Sequence, residues 1–431
     1  MLRIGALAVI IICALVAAMS AVPRAQAQES IQVVSESADN EFPVGVTFSI
    51  AFTSPAPVAE VRLRYELAPD GTGASAVADC SGGATTNCSV TLASGRGLFV
   101  IPGAEITYHW DIEDEAGNEL STEEKQYVHE DTRFEFETLS EGNLTLHYHS
   151  GDIDQARAVL AAAAETVREI GALHATQLGF PVKIFLYETA EEMQPAIAPG
   201  GGRGVQILGE VVYSDTAMVS ADNQALDITR HEIAHIVTRE ATNGPFEVPG
   251  WLNEGISVYA QRNPLSNHAA ALDLAIDRDT VLTMPELNSS STGSVAETVG
   301  LYYGQSGSIV SYLVRTYGAE KFAELLATFK SGSTIDDAFE TVYGFDALGL
   351  ENEWRNSVGL PARTAPDPPT REPDENAIPE PTSSSNGGEG AAQDADEGDS
   401  MDVAMIVAMS AMAVVTLGAA YTFVHVVRQR R

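Results

Sequence analysis

The sequence predicts a multidomain chain: an all-β sandwich, then an α/β unit that turns α-helical, then a disordered stalk and one transmembrane helix. Three observations predict it. Residues 31–136 alternate apolar and polar in short runs broken by Gly, Pro, Asn and Asp, whereas strands and helices alternate further on. An apolar leader opens the chain, and a 25-residue uncharged stretch lies close to the end of its 431 residues.

Residues 1–27 read as a secretory signal peptide. Arg3 is the early cation, Ile4 to Met19 is the apolar run, and Ala25 and Ala27 flank Gln26 in an A-x-A pattern that predicts cleavage before Gln28. "IIIC" lacks the small residue that precedes a lipidated cysteine, so Cys13 leaves with the leader. The exported part, residues 28–402, then holds 19 basic residues (24 minus Arg3, Arg24, Arg428, Arg430 and Arg431) and 60 acidic ones, a net charge of −41. Such a surface repels nucleic acid and anionic headgroups.

Residues 28–137 are predicted to be the sandwich, of immunoglobulin or fibronectin type. "VTFSIAFT", "VAEVRLRYEL", "NCSVTL", "EITYHWDIED", "KQYVHED" and "TRFEFET" have strand length and period, and "DEAGN" (114–118) reads as a hairpin turn. Cys80 and Cys88 in "DCSGGATTNC" are exported and close in sequence, which predicts a disulfide closing a small loop. Nothing in the segment clusters catalytic residue types, so a positioning or binding role is assigned to it.

Residues 138–363 form the second domain. "NLTLHYH" reads as a strand, 152–170 as an alanine-rich helix, "VKIFLYE" as a strand, and "GEVVYSDTAMVS" as a third strand leading into a helix from about Asp222 to Glu240. "SGSIVSYLVRTYG", "AEKFAELLATFK" and "TIDDAFETVYG" continue as helices. Residues 364–402 carry eleven acids and one base among prolines, serines and glycines, the composition of a disordered stalk. As a flexible coil it reaches roughly 35 Å. Residues 403–427 are long enough to cross a bilayer as a helix, and Arg428, Arg430 and Arg431 place the tail, 428–431, on the cytoplasmic side. The expected location is therefore the cell membrane, single-pass type I, with the folded part extracytoplasmic.

The predicted helix carries "RHEIAHIV". His231 and His235 fall one turn apart on one face, so both imidazoles can approach one metal ion, and Glu232 is offset by about 100°. Two neutral nitrogens can hold Zn2+ while the adjacent carboxylate accepts a proton from water whose pKa the metal has lowered to about 7. Catalytic zinc needs a third protein ligand, and "PGWLNEGISVYAQ" offers Glu254 with eighteen residues between it and His235.

This pattern resembles the gluzincin branch of the zinc metallopeptidases, especially the aminopeptidase N family and the bacterial membrane-associated peptidase MA-like proteins. The resemblance covers roughly residues 140–360 and implies a zincin-type domain acting on peptide or protein substrates. By it, His231, His235 and Glu254 match the zinc ligands and Glu232 the general base. "YYGQSGSIVSYL" is similar to the family's tyrosine-bearing segment, whose hydroxyl hydrogen-bonds the oxyanion; Tyr303 is the matching position and Tyr302 the alternative.

Two departures stand out. The aminopeptidases' G-x-M-E-N segment is replaced by "GGGRGVQILGEVVYSD", where Glu210 is no match for the amine-capturing glutamate. Val258 occupies the position of the aspartate that in thermolysin-like members follows the third ligand by four residues. "PGGGRG" lacks the G-K-[ST] of a phosphate loop and reads as a rim, with Arg203 solvated or facing a substrate carboxylate. His147 and His149 share one strand face, either as exposed histidines or as a second metal pair. Two other functions remain: a non-catalytic binding or adhesion protein, and a zinc hydrolase of another amide or ester.

Overall fold

A computed structural model describes residues 30–364, apart from 70, 84, 95–99, 150–151, 198–206, 265, 290–292 and 294–297. The leader, stalk, 403–427 segment, tail and "PGGGRG" with Arg203 lie outside the described residues. Among those described, no helix is long and apolar enough to cross a membrane. Contacts divide the described chain into two compact units, 30–93 with 104–129, and 94–103 with 130–364.

The first unit is all β. Strands β1 (Gln32–Asn40), β2 (Gly45–Thr53), β5 (Asp79–Ser81) and β6 (Thr86–Ala93) form one antiparallel sheet in the order β1-β2-β6-β5. Strands β3 (Val58–Ala68), β4 (Thr72–Val77), β7 (Glu105–Asp114) and β8 (Glu119–Ser121) form a second in the order β4-β3-β7-β8, with β9 (Lys125–Val128) also on β7. Alternation decides which faces meet: Val46, Phe48, Ile50 and Phe52 of β2 and Ile106, Tyr108, Trp110 and Ile112 of β7 are all buried, and the rings of Phe48 and Tyr108 lie 4.4 Å apart. Burying each large apolar side chain contributes about 1.5–3 kcal/mol. The expected turn is present, since Asp114 Oδ1 accepts from the backbone N–H of Ala116 and Asn118 while Gly117 takes a positive φ of 79°. Cys80 and Cys88 are disulfide-bonded.

The second unit contains a five-stranded sheet in the order β10-β11-β12-β14-β13: β10 (Glu137–Glu141), β11 (Leu144–Tyr148), β12 (Val182–Tyr187), β13 (Gly209–Tyr213) and β14 (Thr216–Ser220). Helix α1 (Ile153–His174), capped at its start by the Asp152 side chain, links the parallel strands β11 and β12, with Ala156, Val159, Leu160, Ala163 and Ile170 buried. A short α2 (Ala190–Met193) follows β12. "GEVVYSDTAMVS" is not one strand: it folds back at Ser214–Asp215 into the antiparallel pair β13/β14, leaving β13 on the sheet edge. "TRFEFET" also differs from expectation, being irregular up to Phe136. Asp131 accepts from the backbone N–H of Arg133 and pairs with its guanidinium, turning the chain so that Phe134 stacks on His149 and Phe136 packs on Phe185 and Tyr187.

The helical part comprises α3 (Ala225–Thr242), α4 (Gly250–Ala260), α5 (Ser266–Arg278), α6 (Met284–Leu287), α7 (Val299–Lys330), α8 (Ile335–Tyr343) and α9 (Ala347–Ser357). The two helices expected between 306 and 330 are both present as the segments of α7 that meet at Gly318, whose φ of 86° and ψ of 163° are not helical. Thr283 with Glu286, Thr334 and Asp346 cap α6, α8 and α9. Trp251, Phe322, Phe329, Phe339 and Trp354 fill the core between these helices.

Candidate metal centre

Helix α3 buries Ile233, Ala234, Ile236 and Val237, which fixes its rotation. His231 and His235 then lie together, ring centroids 4.8 Å apart. Helix α4 brings the third group. Its Gly255 permits this, because a Cβ there would stand 2.6 Å from the Ser306 carbonyl oxygen of α7, so only glycine allows the two helices to touch. Val258, at the position of the missing aspartate, packs against Gly307 of α7.

Glu254 Oε2 lies 3.2 Å from His231 Nε2 and 3.5 Å from His235 Nε2, and one ligand atom from each residue falls within 4.8 Å of the others. A tetrahedral zinc ion with bonds of ~2.1 Å separates its ligand atoms by about 3.4 Å. The spacing and the N,N,O donor set therefore fit zinc. Burial alone would raise the Glu254 pKa, but His235 and His231 outweigh it and hold the carboxyl at about 2. Burial likewise opposes charge on His235, yet Glu254 lifts it to about 9.

Glu232 is buried beside the pair. Burial raises its pKa, opposed by the two histidines and by the backbone N–H of Val211 on β13. That edge strand passes so close that a Cβ on Gly209 would meet Ile228 at 2.4 Å and Glu232 Oε1 at 2.9 Å. Tyr303 lies with its ring 6.0 Å from His231 and its hydroxyl on Glu254, its pKa raised by burial and then by that carboxylate. Tyr302 is also buried, but its ring packs by Gly293 and its hydroxyl by Gly250.

Two neighbours carry no motif signal. His268 of α5 stacks on Tyr303 at 5.2 Å and 12°, its pKa lowered to about 4 chiefly by burial and then by His231. Glu210 on β13 is buried, with Oε2 lacking a partner among the described residues, and burial followed by Glu232 raises it to about 8. His147 and His149 belong elsewhere: they stack on Phe185 and Phe134. Among the described residues the triad of α3 and α4 is the one group with metal-holding geometry.

The triad is a candidate metal centre with the donor set of a zinc site, and the family comparison bears on it. Residues 162–359 match the model of the Peptidase MA superfamily, so the resemblance to gluzincin zinc peptidases holds over that stretch and supports a zinc peptidase in general terms. No curated protein matches the chain. Among solved structures, an M1 zinc metallopeptidase from Deinococcus radiodurans is 13% identical over 79% of this chain and 96% of its own, with a TM-score of 0.35. A family 56 carbohydrate-binding module that binds β-1,3-glucan is 16% identical over 23% of this chain and 99% of its own, with a TM-score of 0.16. Neither superposition is close enough to carry an argument.

Proposed function

We propose that the chain is a membrane-anchored, extracytoplasmic zinc metallopeptidase that hydrolyses peptide bonds with Glu232 as general base. The supporting observation is the convergence of two histidines and Glu254 within 4.8 Å, beside a carboxyl whose pKa burial raises. Anchoring and type I orientation rest on the sequence, through the leader, the uncharged 403–427 segment and the arginines after it.

His231, His235 and Glu254 hold the ion. Zinc, when bound, supplies a Lewis acid that polarises a carbonyl and acidifies water. Glu232 takes a proton from the attacking water and returns it to the leaving amine; the raised pKa suits a group that must both accept and release one. Tyr303 donates a hydrogen bond to the oxyanion as charge develops there. The immunoglobulin- or fibronectin-like β unit serves positioning or binding.

Zinc content measured together with cleavage of a mixed peptide library tests the reading. One equivalent of zinc with peptide cleavage is expected. Metal-free protein that cleaves nothing refutes it in favour of a binding protein, and zinc with turnover of esters or other amides alone refutes the peptidase assignment.

A further inference from the structure

The elements bearing the triad form a helical hairpin. Helix α3 runs into the 243–249 loop and α4 returns, so the two are tied covalently at one end only. At the other end the first turn of α3 meets the chain just after α4. There Asp227 Oδ1 accepts from the backbone N–H of Arg262 at 2.7 Å and Oδ2 from that of Asn263 at 3.2 Å.

Asp227, His231 and His235 recur every four residues, so the carboxylate lies on the same side of α3 as both imidazoles. It stands one turn, about 6 Å, before His231, and Arg262 lies two residues past the end of α4 at Ala260, where Gln261 is extended. The contact is partly shielded: the Asp227 side chain is 13% exposed, and Arg230 donates through Nη1 to Asp227 and through Nη2 to Glu165 of α1, each at 3.3 Å. Arg262 reaches Glu169 at 2.6 Å and Glu165 at 3.3 Å, with these side chains more exposed. Helix α7 meets α4 at Gly255 and Val258, whereas the Asp227 contact joins the chain after α4 directly to α3.

We infer that Asp227 is a positioning residue that closes the open end of the α3–α4 hairpin and thereby sets the separation of Glu254 from His231 and His235. The inference rests on the zinc reading above. It predicts that loosening this end misplaces the third ligand, whereas a residue that merely adds stability would leave the bound metal unaltered.

The test uses the full-length chain, with zinc affinity measured by chelator competition and ligand geometry by the visible absorption of the Co2+-substituted protein. Asp227→Asn keeps the size but turns one acceptor into a donor facing the Asn263 N–H. It is expected to weaken zinc binding on the order of ten-fold, as changes to groups that orient ligands do, and to shift the Co2+ bands. Arg262→Ala keeps its backbone N–H and is expected to hold affinity within about two-fold, since exposed ion pairs contribute little. Unaltered affinity and bands in Asp227→Asn, or equal losses in both variants, overturn the inference. If the amide variant fails to fold, Asp227→Glu carries the test: its acceptors lie one methylene further out, so the Co2+ bands must shift, and unshifted bands overturn the assignment. Wild-type protein that takes up no zinc overturns the proposed function as well; zinc-binding wild type with unaffected variants overturns only the role of Asp227.

Discussion

Glu254 and His231, on separate helices and 23 residues apart in sequence, bring Oε2 and Nε2 to 3.2 Å in the interior of the second unit. Its Oε2 also lies 3.5 Å from His235 Nε2, so both imidazoles stabilise the carboxylate, and under the proposed zinc reading it would be the third donor. Glu254→Ala removes a charged donor, whereas changes to outer partners alone cost 10–100-fold in affinity. Zinc affinity is expected to fall by at least that much, measured by chelator competition. Wild-type affinity in the variant would exclude Glu254 as a ligand.

Glu232 is held by what surrounds it as much as by its helix, because β13 passes against its carboxyl. Glu232→Gln is expected to retain one zinc per chain and lose turnover. Gly209→Ala tests the support: its methyl would clash with Ile228 and Glu232 Oε1 at 2.4 and 2.9 Å, and overpacking costs about 1–3 kcal/mol. Activity should fall while zinc content stays, and full activity in this variant would show that β13 does not set the position of the base.

The triad was legible in the sequence because a four-residue helical spacing and one nearby glutamate are local signals, and β2 and β7 were legible because one face of each is buried. What escaped depends on partners remote in sequence. The Ser214–Asp215 turn between β13 and β14 contains neither Gly nor Pro, so the run reads as one strand. Phe134 and Phe136 have strand spacing, but Asp131 bends the backbone beneath them. His268 reaches Tyr303 from a separate helix, and the burial of a lone acid at Glu210 has no local signature.

Tyr303 and Tyr302 can be told apart because their hydroxyls go to different places. Removing one oxyanion donor costs roughly 100- to 1,000-fold in kcat. Tyr303→Phe is expected to show a loss of that order with zinc retained, whereas Tyr302→Phe, which loses a hydroxyl beside Gly250, is expected to stay within about ten-fold. Steady-state kinetics on a cleaved peptide decide it, and the reverse ranking would assign the role to Tyr302.

Glu210 makes stability depend on pH in a direction that can be worked out. Its pKa is about 8 folded against an ordinary 4.5, so between those values the native state holds a proton that the unfolded chain releases. The contribution is complete below pH 4.5 and lost as pH rises through 8, at up to about 1.4 kcal/mol per pH unit. His174 and His147, held at about 3 and about 4 by burial, act oppositely: they favour the fold above 6.5 and oppose it as pH falls. Wild-type and Glu210→Gln proteins should therefore differ by one proton in the slope of unfolding free energy between pH 6.5 and 8, the variant gaining on wild type as pH rises. Urea unfolding of both proteins across that window measures it, and parallel slopes would mean that Glu210 is ionised in the fold and that its burial is compensated by a partner.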